Sequence, residues 1–123
     1  MIQMLIRLLG VLHLLRFVNL RKAHLDGINL SFFQLRGIRL DGAQLRGANL
    51  RGTNFAGAHL GGSNLQGADL SGANLQGADL KGACLKNARL QSSNLRGADL
   101  RNADLENATM VRAILDGAQQ GNG

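Results

Sequence analysis

The chain has 123 residues, a formal net charge of +6, 17 glycines, one cysteine, and no proline, tryptophan or tyrosine. That length supports one domain, and a lone cysteine excludes an intramolecular disulfide framework and fits a reducing compartment, the cytoplasm. The missing tyrosine and tryptophan argue against aromatic platforms for single-stranded nucleic acid, while an apolar fraction of 45% is ordinary for a folded chain.

Residues 1–17 come first and obey no repeat. Of the first 18 residues, 13 are apolar. Placed on a helix, Gln3, Arg7, Gly10 and His13 share an arc of about 120°, and Arg16 lies outside it. This pattern predicts an α-helix with a narrow polar stripe and a broad apolar face. Three roles fit it. It could cap the element that follows. It could lie on or anchor in a membrane, with Arg7 a costly obstacle to spanning. A cleaved signal peptide fits least, because no positive charge precedes the apolar run and no small-x-small site follows.

From residue 18 a period of five takes over. Between Leu20 and Leu115, 18 of the 20 positions numbered in multiples of five are Leu, and the exceptions, Phe55 and Met110, are large and apolar. Two residues before each of them, 13 of 20 are Ala and three more are small: Thr53, Ser63 and Ser93. Thirteen of the 17 glycines stand two residues after the large apolar position. The unit is Ala-(Asn/Asp)-Leu-x-Gly, as in Ala68-Asp69-Leu70-Ser71-Gly72. A helix would march leucines spaced by five around its axis, and a flat strand would send them to alternate sides. The chain must therefore turn a corner once per repeat. Every Leu and every small residue then points inward, the Asn/Asp between them points out, and glycine relieves the corner.

These residues resemble the pentapeptide repeat family, whose consensus is a small residue, Asn/Asp, Leu and two variable positions. The match spans residues 18–117. The resemblance implies an all-β fold, a right-handed quadrilateral β-helix with four repeats per coil. Twenty repeats make five coils, a rod about 24 Å tall at the usual strand spacing. Its core should hold Leu20, Leu40, Leu60, Leu80, Leu100, Phe55 and Met110. Its stability should come from stacked neighbours, since no coil buries its own leucines.

Residues 20 apart should stack. One outward column then reads Gln34, Asn54, Asn74, Asn94, Ile114, a candidate amide ladder with a structural role. The first coil carries Val18, Ile28, Phe33 and Ile38 where later coils hold Ala, with Phe32 as an outward or corner apolar outlier. At the other end Val111 and Ile114 replace polar or small residues beside Met110 and Leu115. Residues 118–123 are expected to be a short disordered tail, too small to cover an open coil. Solenoid ends need caps or partners, so Val111 and Ile114 are expected to pair this end with a second copy.

Charge is uneven along the chain. Residues 1–60 carry a net +6 and residues 61–123 a net zero. Arg7, Arg16, Arg21, Lys22, Arg36 and Arg39 gather beside the apolar segment, a combination that anionic membrane surfaces attract. Catalytic signals are missing. His13, His24 and His59 are scattered, and Cys84 shares a column with His24 but lies three coils or roughly 14 Å from it, too far for a shared metal. Asp69, Asp79, Asp99 and Asp104 fill the repeat's own slot. No enzyme activity, cofactor or metal site is expected. The quinolone-resistance group of the resembled family mimics duplex DNA and binds DNA gyrase. That role calls for an acidic surface, and the basic charge of this chain disfavours it, as the lack of a groove-reading element disfavours nucleic-acid binding. The expectation is a non-enzymatic module for a protein partner that the sequence does not identify.

Overall fold

A computed structural model of the chain describes residues 18–121. The helix expected over residues 1–17 lies outside the described residues, as do Arg7 and Arg16. From residue 18 the chain climbs as a coil of 20 residues per turn. Each outward residue between the small residue and Leu forms a parallel bridge with the residue 20 further on, from Asn19↔Arg39 to Asp99↔Gln119. Five coils result: 18–37, 38–57, 58–77, 78–97 and 98–117. Four bridged columns run along the axis. We number the faces by their first member: Asn19 opens the first, His24 the second, Asn29 the third and Gln34 the fourth.

Hydrogen bonding explains why five residues suffice for a side and a corner. In the repeat around Leu70, the Leu70 amide donates to the Arg89 carbonyl of the next coil at 2.7 Å, and Gly72 to Gln91 at 2.9 Å. Ala73 closes the corner by donating to the Leu70 carbonyl at 3.0 Å, and Asn74 reaches back to Thr53 in the preceding coil at 2.9 Å. The remaining amide, that of Ser71, donates to Oδ1 of Asp69 at 3.0 Å. All five donors are used, four by main chain and one by a side chain, so no amide of the repeat is left unpaired.

The corner has φ positive at one position only, the residue before the small one, which makes it a type II turn. Glycine takes that position 13 times; Lys22, Phe32, Asn87, Ser92, Asn102, Asn107 and Arg112 take it with φ between 58° and 63°. The asparagines among these tolerate the left-handed region better than the others.

Inside, the large and small residues interdigitate in layers. Leu40, Phe55, Leu60 and Leu80 are wholly buried and Leu100 is 2% exposed. Leu20 and Met110, expected in the core, are only half-buried, each in an end coil with one neighbouring coil among the described residues. Three hydroxyls share the small slot. Thr53 Oγ1 donates to the Leu30 carbonyl and Ser93 Oγ to the Leu90 carbonyl, both at 2.8 Å. Ser63 Oγ is equally buried and has no partner.

The bridging also runs past Gly117 into the segment expected to be a tail. Gln119 pairs with Asp99, the Leu100 amide donates to the Gln119 carbonyl at 2.7 Å, and the Asn102 amide to Gly121 at 3.0 Å. Residues 118–121 therefore begin a sixth turn on the first face. Among the described residues the other three faces have no sixth turn.

Candidate functional site

With the core sealed, function falls to the outer wall, and the wall is written by the residue that bridges. Eleven of these residues between Asn19 and Asp104 are Asn or Asp, and each accepts, through Oδ1, the amide two residues on. This is the Asx turn, open only to side chains of that length. The amide ladder expected along Gln34, Asn54, Asn74 and Asn94 is thereby corrected. Among the described residues it has one rung, Asn54 Nδ2 to Gln34 Oε1 at 2.9 Å, because the oxygens of Asn54, Asn74 and Asn94 are turned to their own corners. The rule that Asn and Asp bond their own backbone two residues on was the signal that could have found this.

The second polar atom of each such side chain is not used by the corner, though Asn54 and Asp99 engage theirs with Gln34 and Arg101. In Asn it is the donor Nδ2, in Asp the acceptor Oδ2. The sequence can thus change the surface from donor to anion without touching the coil. The first face carries Asp79 and Asp99, the second Asp104 and the third Asp69. The fourth carries amides and, at its C-terminal end, Ile114.

Charges pair mainly between coils. Arg21 meets Asp41 at 3.7 Å, Arg51 meets Asp69 at 3.6 Å, Lys86 meets Asp104 and Glu106 at 3.6 and 3.5 Å, and Arg96 meets Asp116 at 3.8 Å. Such exposed, long contacts each contribute on the order of 0–1 kcal/mol. The Arg101–Asp99 pair is different in kind, a fork with Nε and Nη2 on the two carboxylate oxygens at 2.9 and 2.7 Å. Hydrogen bonding from Arg101 lowers the Asp99 pKa to about 2. For Asp69 burial works upward, but Ser71, Arg51 and Arg89 outweigh it and hold the carboxyl below its ordinary value. Asp104 and Glu106 raise the pKa of Lys86.

No group of three or more His, Cys, Asp or Glu side chains able to hold a metal ion occurs among the described residues. His24 and Cys84 share the second face, separated by Gln44 and Asn64. Cys84 is a free, half-buried thiol. Arg21, Lys22, Arg36 and Arg39 are all exposed on the first coil and the start of the second. Val111 is 67% exposed, and Ile114 is half-buried beside it. The residue that sequence reading undervalued is Phe32. Its number places it in the glycine series, which was the available sign of a left-handed corner.

The sequence profile described as pentapeptide repeats matches residues 14–52, 53–91 and 83–119. The chain belongs to the pentapeptide repeat family. Members of this family are right-handed β-helices. It is similar to the solved structure of HetL, a pentapeptide repeat protein involved in heterocyst differentiation regulation from the cyanobacterium Nostoc sp. strain PCC 7120. Identity is 30% and the TM-score 0.57, over 82% of this chain and 59% of HetL. The chain thus spans well under two thirds of HetL's length. Alr5209, a pentapeptide repeat protein from Nostoc PCC 7120, is 28% identical with a TM-score of 0.45, over 83% of this chain and 84% of that one. QnrB1, a plasmid-mediated fluoroquinolone resistance protein, is 22% identical with a TM-score of 0.48, over 80% of this chain and 61% of that one. None of the curated proteins is a significant match.

Proposed function

We propose that this pentapeptide repeat protein is a non-enzymatic interaction module of the cytoplasm, a rigid rod that docks a protein partner on its wall and pairs with a second copy through its last coil. The observation that carries this reading is the contrast between the sealed core and the apolar residues left uncovered in the last described coil. Leu105, Met110 and Leu115 are only half-buried and Val111 stands in solvent. The amides of Asn107, Met110, Arg112, Leu115 and Gly117 point where a further coil would accept them and find none among the described residues. Unpaired edges of this kind invite another chain, and a second copy meets both needs, apolar cover and backbone partners.

Light scattering tests it. The wild type is expected at twice the chain mass, and Val111→Asp/Ile114→Asp at the single-chain mass. A single-chain mass for both defeats the pairing.

A second reading, contact with an anionic membrane surface, is favoured by the exposure of Arg21, Lys22, Arg36 and Arg39 together at the N-terminal end of the rod. No helix among the described residues is long and apolar enough to cross a membrane, so the contact would be peripheral. Co-sedimentation with phosphatidylserine vesicles should fall with Arg36→Gln/Arg39→Gln, and equal recovery of wild type and variant removes this reading. A gyrase-directed DNA mimic is disfavoured by the charge of +6 and by the pairing of Asp41, Asp69, Asp99, Asp104 and Asp116 with neighbouring cations.

A further inference from the structure

Phe32 combines a left-handed backbone with an exposed aromatic ring. Its φ of 63° lies in the left-handed region that the same corner position gives to glycine in 13 repeats. Yet 70% of its surface faces solvent. A bulky side chain is disfavoured in that conformation, and burial does not compensate. Lys22 and Arg112 hold the same conformation at exposed corners, so what sets Phe32 apart is an apolar ring left in solvent, and that ring points to a contact at the surface. The ring lies over Gly52 of the next coil, where an added Cβ would collide with its Cδ1 and Cε1 atoms. The two residues fit each other.

Beneath the ring a shallow groove of about 340 Å³ follows the corner, with Arg51, Ser71, Gln91 and Ser92 along it. Next to the groove stands the fourth face, whose Asn side chains turn their oxygens inward to the corner amides. The Nδ2 donors of Asn74 and Asn94 are left outward with no acceptor among the described residues. Across the first four coils of this wall, residues 31–37, 51–57, 71–77 and 91–97, there is no Asp or Glu and there are three arginines, Arg36, Arg51 and Arg96; the fifth coil adds Arg112 and Asp116. Every other face carries a carboxylate on its bridging column. Arg36 has no ion pair among the described residues. Arg51 and Arg96 reach Asp69 and Asp116 only at 3.6 and 3.8 Å, contacts open enough to be exchanged.

We infer that the fourth face and its Phe32 corner bind an extended acidic segment of a partner protein, with carboxylates on the arginines and amide donors and an apolar side chain on the Phe32 ring. The inference rests on the interaction-module reading and adds the face and the partner's chemistry. Complementary charge supplies the register, and phenylalanine and arginine are both enriched at protein–protein interfaces. A single-stranded nucleic acid would also offer anionic acceptors, but one aromatic makes no stacking ladder.

The test is fluorescence anisotropy of full-length protein with a labelled Glu/Asp-rich peptide carrying a central leucine. Oligothymidylate, and a lysine-rich peptide of equal length, serve as competitors. The acidic peptide should bind, and Phe32→Gly and Arg36→Gln/Arg51→Gln should each weaken it about tenfold or more. Phe32→Gly should melt no lower than wild type, since glycine suits the corner, so lost binding is not lost folding. Absence of peptide binding, binding indifferent to Phe32→Gly, or preferential capture of oligothymidylate would each overturn the assignment. Light scattering on the same samples separates the two levels. A rod that pairs through its last coil but ignores the peptide keeps the module reading and loses this face.

Discussion

Ser63 and Ser93 occupy the same slot of the repeat, are equally buried, and differ in one respect: Ser93 Oγ donates to the Leu90 carbonyl at 2.8 Å, whereas Ser63 Oγ has no partner. Replacing each by Ala, the residue that fills this slot in 13 of 20 repeats, should therefore give opposite signs. At Ser93 the change removes one hydrogen bond with a net value of about 0.5–1.5 kcal/mol. The Leu90 carbonyl keeps the Ser93 main-chain amide at 3.1 Å, so the loss should sit at the low end. At Ser63 the change removes an orphaned buried hydroxyl whose desolvation costs about 1–3 kcal/mol. A void the size of one oxygen returns part of that, and a net gain of about 1 kcal/mol is expected. With a urea slope of about 1–3 kcal/mol per molar, the midpoint should rise by roughly 0.3–1 M for Ser63→Ala and fall by less for Ser93→Ala, at unchanged slope. Both sites lie in interior coils, so end fraying affects them alike. If Ser63→Ala loses as much stability as Ser93→Ala, the Ser63 hydroxyl does reach the Leu60 carbonyl and the reasoning fails.

Two further outcomes concern the wall. Asn74→Asp keeps the acceptor for the Gln76 amide and should leave stability within about 0.5 kcal/mol, whereas Asn74→Ala strips that amide of its partner and should cost about 1 kcal/mol; equal thermal midpoints for the two variants would discredit the Asx-turn account. The Asp99 carboxyl, held at about 2 by Arg101, should titrate by carbon-13 NMR well below an ordinary aspartate. Its folded pKa is depressed, so its contribution to stability is present above pH 3.8 and is lost as pH falls toward 2. Arg101→Gln should return the titration toward the ordinary range, and an unshifted Asp99 in the wild type would show that the fork does not persist in solution.

Much of this could be read from the period alone. A large apolar residue every fifth position, a small one two before it and glycine two after it leave only a coil that turns a corner once per repeat. That four repeats close a coil, and hence the columns of residues 20 apart, came from the family resemblance. Where the reading fell short, the missing facts concern partners in neighbouring coils or the ends of the stack. Leu20 and Met110 fit the repeat as well as Leu60 does, yet burial also needs a coil on either side, and among the described residues theirs have one on a single side. Residues 118–121 lack the consensus but continue the ladder, because Leu100 and Asn102 already offer amides that any backbone can accept.

The sequence by itself determined the coil, since side-chain direction and corner chemistry are local and recur in every repeat. Only the stacked structure decided which hydroxyl is left alone at Ser63, that the asparagines spend their oxygens on their own corners, and that the Phe32 ring comes to rest over Gly52. Those outcomes depend on distances between residues 20 or more apart, or on a choice between two bonds a side chain can make equally well, and a repeating sequence presents both alternatives at every turn.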